Sequence, residues 1–224
     1  MGKKESLLYR LYSEDGKITY FNKKEAWSVK IGRFFGMPLA RLLASLPFKV
    51  NPCIITILTI PFAILAGFCF FKNLLIYGAI FYLISWILDC TDGSLARMTN
   101  TKSDFGSRLD NYSDRANNFI MYFGLWYSQF YLNNQWLVGS LLFGSHYLIM
   151  LFGKIFVKYS YKTIIKSIIS YYHPHDESFL ALFMLPIFNV FVLFYPLLII
   201  CQYFFTLVLF LIQNIASKNK TLKS

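Results

Sequence analysis

The sequence predicts an all-α membrane protein: six transmembrane helices preceded by an N-terminal amphipathic interfacial helix. Three observations carry this. Of 224 residues, 56% are hydrophobic and only 15% charged, where a soluble domain has roughly half and a quarter. Apolar runs long enough for a bilayer recur along the chain, separated by short polar breaks. The 22 Lys and Arg, against 11 Asp and Glu, gather in segments flanking those runs, as they do when cations hold one side of a bilayer against anionic head groups. That placement argues against nucleic acid, the other partner that a net charge of +11 suggests.

In chain order, residues 1–25 form a polar cytoplasmic tail of mixed charge with no fixed structure to argue for. Its first ten residues lack an apolar core and a small-residue cleavage site, so no secretory leader is expected. Residues 26–48 carry Trp27, Ile31, Phe34, Phe35, Leu42 and Leu46 at helical intervals, with Lys30, Arg33 and Arg41 elsewhere. That pattern predicts a helix lying in the membrane interface, bent near Gly36 and Pro38. The catalytic domain is expected over 49–217, followed by a basic cytoplasmic tail, 218–224.

Within that domain, apolar runs 53–71 and 74–88 are joined by a tight turn at Lys72-Asn73, and the second run ends at Asp89. Met98 to Phe105 is polar and reads as a loop, after which Gly106 opens a helix leading into apolar run 119–132. A fourth span covers 136–157 after Asn133-Asn134-Gln135, and a polar segment containing His173-Pro174-His175-Asp176-Glu177 follows. That segment reads as a polar loop or, alternatively, as a metal or acceptor contact. Residues 179–216 are apolar over twice the length one span needs. We divide them at Tyr195-Pro196, because proline ends or bends a helix. With the N-terminus in the cytoplasm, only Lys72 among the Lys and Arg falls on the far side. The four cysteines, Cys53, Cys69, Cys90 and Cys201, lack metal-site spacing and read as small buried hydrophobes.

The chemistry is concentrated in residues 89–114, DCTDGSLARMTNTKSDFGSRLDNYSD. Asp89 and Asp92 share one helical face, and so do Asp110 and Asp114; two facing helices would gather all four. Carboxylates at such density must be protonated or share a cation. Oxygen ligands without a Cys or His cluster favour Mg²⁺ or Mn²⁺, and two ions about 4 Å apart suit phosphoryl transfer.

The stretch is similar to the signature of the CDP-alcohol phosphotransferase family, D-x2-D-G-x2-A-R-x8-G-x3-D-x3-D. Asp89, Asp92, Gly93, Ala96, Arg97, Gly106, Asp110 and Asp114 meet every defined position. The resemblance implies an integral membrane enzyme that moves a phospho-alcohol from a CDP-alcohol to a hydroxyl acceptor and releases CMP, and it implies a homodimer. It assigns Asp89, Asp92 and Asp110 to two divalent cations, Mg²⁺ or Mn²⁺, and Asp114 to one of them and to the acceptor's proton. Gly93, Arg97 and Ser103 fall to the nucleotide, Arg97 alternatively being a snorkelling interfacial residue. Thr56 resembles a nucleotide-side threonine in a P-N-x-x-T start, although Cys53 replaces its Asn; the equal alternative is a hydroxyl that satisfies a backbone carbonyl of its own helix.

CDP-diacylglycerol is the expected donor. Asp114-Arg115 resembles branches using inositol phosphate, so that or another polar alcohol is the expected acceptor. A CDP-choline or CDP-ethanolamine type transfer onto a lipid is the alternative, and a cation carrier using the aspartates is the alternative from another class. The expected location is multi-pass in a bacterial or archaeal cell membrane, with both termini and the site cytoplasmic.

Overall fold

The structure, a computed structural model, describes residues 13–14, 17–18, 27–160, 174–204 and 207, with side chains described at 27–148, 176–204 and 207. Ser13–Glu14 (β1) pairs antiparallel with Lys17–Ile18 (β2), so the expected structureless tail contains one short ladder. Every other described element is helical. The helices are α1 (Trp27–Ala44), α2 (Pro52–Phe71), α3 (Leu75–Met98), α4 (Asp104–Trp126) and α5 (Trp136–Ser160). They continue with α6 (Pro174–Phe179) and α7 (Phe191–Phe204).

Two of these, α2 and α3, are long and apolar enough to cross a membrane. On α2 the exposed residues include Ile54, Ile57, Leu58, Ile64, Leu65 and Phe68, an outward face that lipid would cover and water would not. Of the six expected spans, the fourth continues as helix to Ser160; residues 161–173 and 208–224 lie outside the described part.

Asparagine shapes the turns. Asn73, Asn100, Asn134 and Asn189 all have positive φ, between 54° and 59°, a conformation that asparagine tolerates better than other side-chain-bearing residues. Asn189 marks the break in the last apolar stretch, where α6 runs on through a π-helical turn, Leu180–Met184, and Leu185–Ile187 before the chain turns. Val190 N–H then bonds the Leu185 carbonyl at 3.0 Å. The division therefore falls at residues 188–190, and the expected break at Tyr195-Pro196 is wrong: Pro196 sits inside α7. α3 continues past Asp89 to Met98, where the expected loop begins, and one further boundary moves: α4 opens at Asp104, not at Gly106, with Ser103 as its N-cap.

α1 runs beside α3 in the same direction. Ala40 packs with Leu95 and Ile55; Gly36 lies against Cys90 and Thr91, and Gly32 against Trp86. Trp27 meets Phe179 edge-on at 5.5 Å, and Phe179 in turn contacts Tyr82 and Trp86. The face against α3 is Ser28, Gly32, Arg33, Gly36, Met37 and Ala40, whereas Phe34, Phe35 and Leu42 are exposed. Small residues, not the aromatic ones, make the contact, because only they let two backbones approach closely. The Asp176 carboxylate closes the N-terminal end by accepting Ser28 N–H at 3.0 Å, satisfying one of the orphan donors of α1's first turn.

The α2–α4 crossing is tighter still. A Cβ on Gly124 would overlap the Gly67 carbonyl, and one on Gly67 would stand 2.6 Å from Ile120 Cγ2. Around this crossing lie Ala63, Ala66, Phe70, Met121, Tyr122 and Leu125, all buried. Since neither backbone can retreat without unpacking them, Gly124→Ala should cost about 1–3 kcal/mol and lower the melting temperature of the detergent-solubilised protein. Gly144→Ala, where nothing lies within 4 Å, should be neutral or slightly stabilising. Equal melting temperatures for the two variants would contradict the crossing.

Candidate active site

The acidic residues arise from the C-terminal part of α3 and the N-terminal part of α4, which face each other. α3 presents Asp89 and Asp92, and α4 presents Asp110 and Asp114. One carboxylate oxygen each from Asp89, Asp92 and Asp110 lie within 4.8 Å of one another. Asp89 also shares side-chain hydrogen bonds with Asp110 and with Asp114. The four aspartates thus converge as their spacing predicts.

Two carboxylate oxygens meet this closely only when a proton or a cation lies between them. The separation is close to the ~4 Å across an octahedral Mg²⁺ shell, and the donor set is all oxygen. The residues fit a hard divalent ion, with Cys90 beside them but facing Gly32 of α1.

Asp92 is nearly fully buried, at 6% exposure, and is held from the side. Thr56 Oγ1 donates to Asp92 Oδ2 at 2.6 Å, whereas its separation from the Pro52 carbonyl is 3.3 Å. One hydroxyl has one proton, and the shorter, charge-assisted partner takes it. Thr56 therefore serves the acidic cluster first and its own helix second. The Thr56 carbonyl accepts from Thr59 Oγ1 (2.7 Å), which accepts from Asn117 Nδ2 (2.9 Å), and Ser85 donates to the Thr59 carbonyl (3.2 Å). This seam ties α2, α3 and α4 together one turn below the carboxylates. Sequence reasoning missed Thr59, Ser85 and Asn117, although polar residues inside or next to apolar runs were the available signal.

Beside Asp92 and Asp110 opens a cleft of about 590 Å³, lined among others by Asn51, Cys53, Thr56, Gly93, Arg97 and Ser103. Both its floor helices begin there. Asn51 caps α2 by accepting Cys53 N–H at 3.0 Å, and Ser103 caps α4 by accepting Gly106 N–H at 3.0 Å. Helix N-termini attract anions through their free N–H groups and dipoles, so a phosphate-bearing ligand suits this cleft.

Arg97 donates to Ser94 at 3.0 Å, and its Nη1 would lie 3.4 Å from a Cβ on Gly93. The bare Gly93 backbone thus leaves room beside the guanidinium. Gly106 is confined by Ser103 Oγ and Cys53 Sγ, 3.1 and 3.6 Å from where its Cβ would be. Thr101, Lys102, Asp104 and Ser107 also line the cleft, and Asp104 is the first residue of α4.

The expected polar loop at 173–177 is in part helix. Asp176 and Glu177 are fully buried, and Glu177 Oε1 lies 2.8 Å from His146 Nδ1. His173 lies outside the described residues.

Among curated proteins, a Candida albicans protein named CDP-diacylglycerol--inositol 3-phosphatidyltransferase is 39% identical to this chain over 105 residues. The alignment covers 46% of this chain and 45% of that protein, so the matched part spans less than half of the relative. A family model described as CDP-alcohol phosphatidyltransferase matches residues 49–218. The match takes in α2 through α7 and every residue of the acidic cluster, and the chain belongs to the CDP-alcohol phosphatidyltransferase family.

Proposed function

We propose that the protein transfers a phosphatidyl group from CDP-diacylglycerol to a hydroxyl of inositol, releasing CMP, in phospholipid biosynthesis. The observation that carries this is the meeting of Asp89, Asp92, Asp110 and Asp114 at the edge of a cleft floored by two helix N-termini. Family membership and the inositol-using relative support the reaction class and the acceptor.

Asp89, Asp92 and Asp110 would hold two divalent cations, Mg²⁺ or Mn²⁺, with Asp114 reaching one of them. Such ions neutralise charge on the diphosphate and on departing CMP. Thr56 keeps Asp92 oriented by donating to it. Arg97 offers a forked donor to a phosphate of the CDP moiety, and Gly93 and Gly106 let the nucleotide approach backbone. The Ser103 hydroxyl, whose oxygen caps α4, still has its own proton to donate. Asp114, one helical turn from Asp110, takes the proton of the acceptor hydroxyl. The acceptor oxygen then bonds to the phosphorus that carries diacylglycerol, and the bond from that phosphorus to the bridging oxygen breaks, leaving that oxygen with CMP.

The reading also takes the chain as multi-pass in a membrane, with the site cytoplasmic. Its support is the outward apolar face of α2 and α3 and the one-sided Lys and Arg distribution. With a Candida relative, a bacterial or archaeal membrane has no particular support. A homodimer belongs to the proposal by family likeness alone.

The direct experiment is CMP release by the purified protein with CDP-diacylglycerol, inositol and Mg²⁺ or Mn²⁺. No release with any acceptor alcohol, under conditions where metal binds, would overturn the function. Asp114→Asn should lower turnover by about 10²- to 10⁴-fold while CMP still binds; wild-type rates would remove it as the base. Thr56→Val should raise the metal concentration for half-maximal rate by about 10- to 100-fold, and an unchanged metal titration would make that hydrogen bond incidental. Arg97→Gln should raise KM for the donor about 10- to 100-fold and leave KM for inositol alone; the opposite pattern would place Arg97 on the acceptor.

A further inference from the structure

A second polar cluster lies deeper in the bundle. His146 of α5 and Glu177 of α6, 1% and 0% exposed, meet at 2.8 Å through Nδ1 and Oε1. The remaining atoms of the pair, His146 Nε2 and Glu177 Oε2, are buried without a hydrogen-bond partner among the described residues, and so are the Tyr195 and Tyr147 hydroxyls. Buried polar groups are almost always partnered, and each orphan costs about 1–3 kcal/mol. An ion pair serving only to fasten two helices does not require four such atoms in one place.

We propose that this cluster is the acceptor-binding site and that it selects an uncharged polyol over a phosphorylated one; the proposal rests on the phosphotransferase reading above. With Nδ1–H donating to Glu177, His146 Nε2 is an acceptor, and Glu177 Oε2 is another. The tyrosine hydroxyls either donate or accept. That set recognises several hydroxyls on one molecule. A phosphate would meet the buried Glu177 carboxylate.

α4 links the cluster to the acidic site. Asp114, Asn118 and Tyr122 follow one another at i+4 on α4, one face of the helix. From Asp114 to Tyr122 the axial rise is about 12 Å, and the side chains lean back toward the helix N-terminus, which shortens the gap. The Tyr122 ring lies 4.4 Å from His146 and 6.0 Å from Tyr195, centroid to centroid. Tyr122 and Tyr82 belong to one buried cluster, and Tyr82 lies two helical turns before Asp89 on α3. A cyclic polyol lying along this column keeps one hydroxyl toward Asp114 while others reach Tyr122 and Glu177.

The test uses the full-length protein in lipid nanodiscs, with myo-inositol as the probe and inositol phosphate as comparison. Glu177→Gln should raise KM for inositol at least tenfold and leave KM for CDP-diacylglycerol within twofold. It should also narrow the preference for inositol over inositol phosphate. Tyr195→Phe, which removes one hydroxyl and little volume, should raise KM for inositol about three- to tenfold and serves where Glu177→Gln fails to fold. An unchanged inositol KM in Tyr195→Phe, or parallel changes in both KM values, overturns the site in favour of a structural role. Equilibrium binding of radiolabelled inositol separates the two proposals: binding that Glu177→Gln abolishes, in a protein that never releases CMP, keeps this site and removes the phosphotransferase reading. CMP release with another acceptor but no inositol binding does the reverse.

Discussion

The fold depends on holding four carboxylates against one another where two helices meet. Asp89 and Asp92 come from α3, Asp110 and Asp114 from α4, and their mutual repulsion would push the helices apart unless a proton or cation joined them. Everything nearby resists that separation. α2 packs against both helices, and the Thr56 to Asp92 hydrogen bond, with the Thr59, Ser85 and Asn117 contacts below it, runs across all three. Deeper in, the Gly67–Gly124 approach lets α2 and α4 backbones come nearly into contact. Water cannot drive helices together inside a bilayer, so close packing of small residues and interhelical hydrogen bonds supply the cohesion there. The strain of collecting charge at one end is offset by the tightest packing two to three turns away.

Much of this was legible in the sequence because helical periodicity is local. Asp89 and Asp92, like Asp110 and Asp114, were expected on shared faces, and their convergence required only that α3 and α4 be neighbours, which the short polar loop between them favours. The end of α3 at Met98 falls where the polar loop was expected, whereas the division of the last apolar stretch was less legible. Pro196 seemed to divide the last apolar stretch, whereas Asn189 does so. Proline is tolerated in membrane helices when neighbours satisfy the freed carbonyl; an asparagine in the left-handed region turns the chain directly. Asn73 and Asn134 end runs in the same way, so the signal was present at two other turns.

Long-range partners could not be read at all. Nothing in the local pattern around Asp176 says that it accepts the N–H of Ser28, 148 positions earlier, and nothing around His146 names Glu177. In a segment holding two histidines and two acids, polarity suggested a solvent-exposed loop. The acids are instead the most buried charges described, at 0% exposure. On α1, Phe34, Phe35 and Leu42 mark an apolar face that points outward, and the contact surface toward α3 is made of Gly32, Gly36 and Ala40, which a hydropathy pattern weighs little.

These placements divide the interior by charge. On the cleft side, Arg97, Lys102 and two helix N-termini confront Asp92 and Asp110, a combination that suits a diphosphate, since the anion finds donors while any cation finds carboxylates. On the deeper side, toward α5 and α6, the described polar groups are a carboxylate, an imidazole and phenols. Asp114 stands between the two, joined to Asp89 on one flank and in line with Tyr122 on the other. The base in the proposed reaction, which receives a proton from one substrate while the other is attacked, needs that intermediate position. The reach of Asp114 into both environments follows from α4 alone, through the i+4 succession of Asp110, Asp114, Asn118 and Tyr122 along a single helical face.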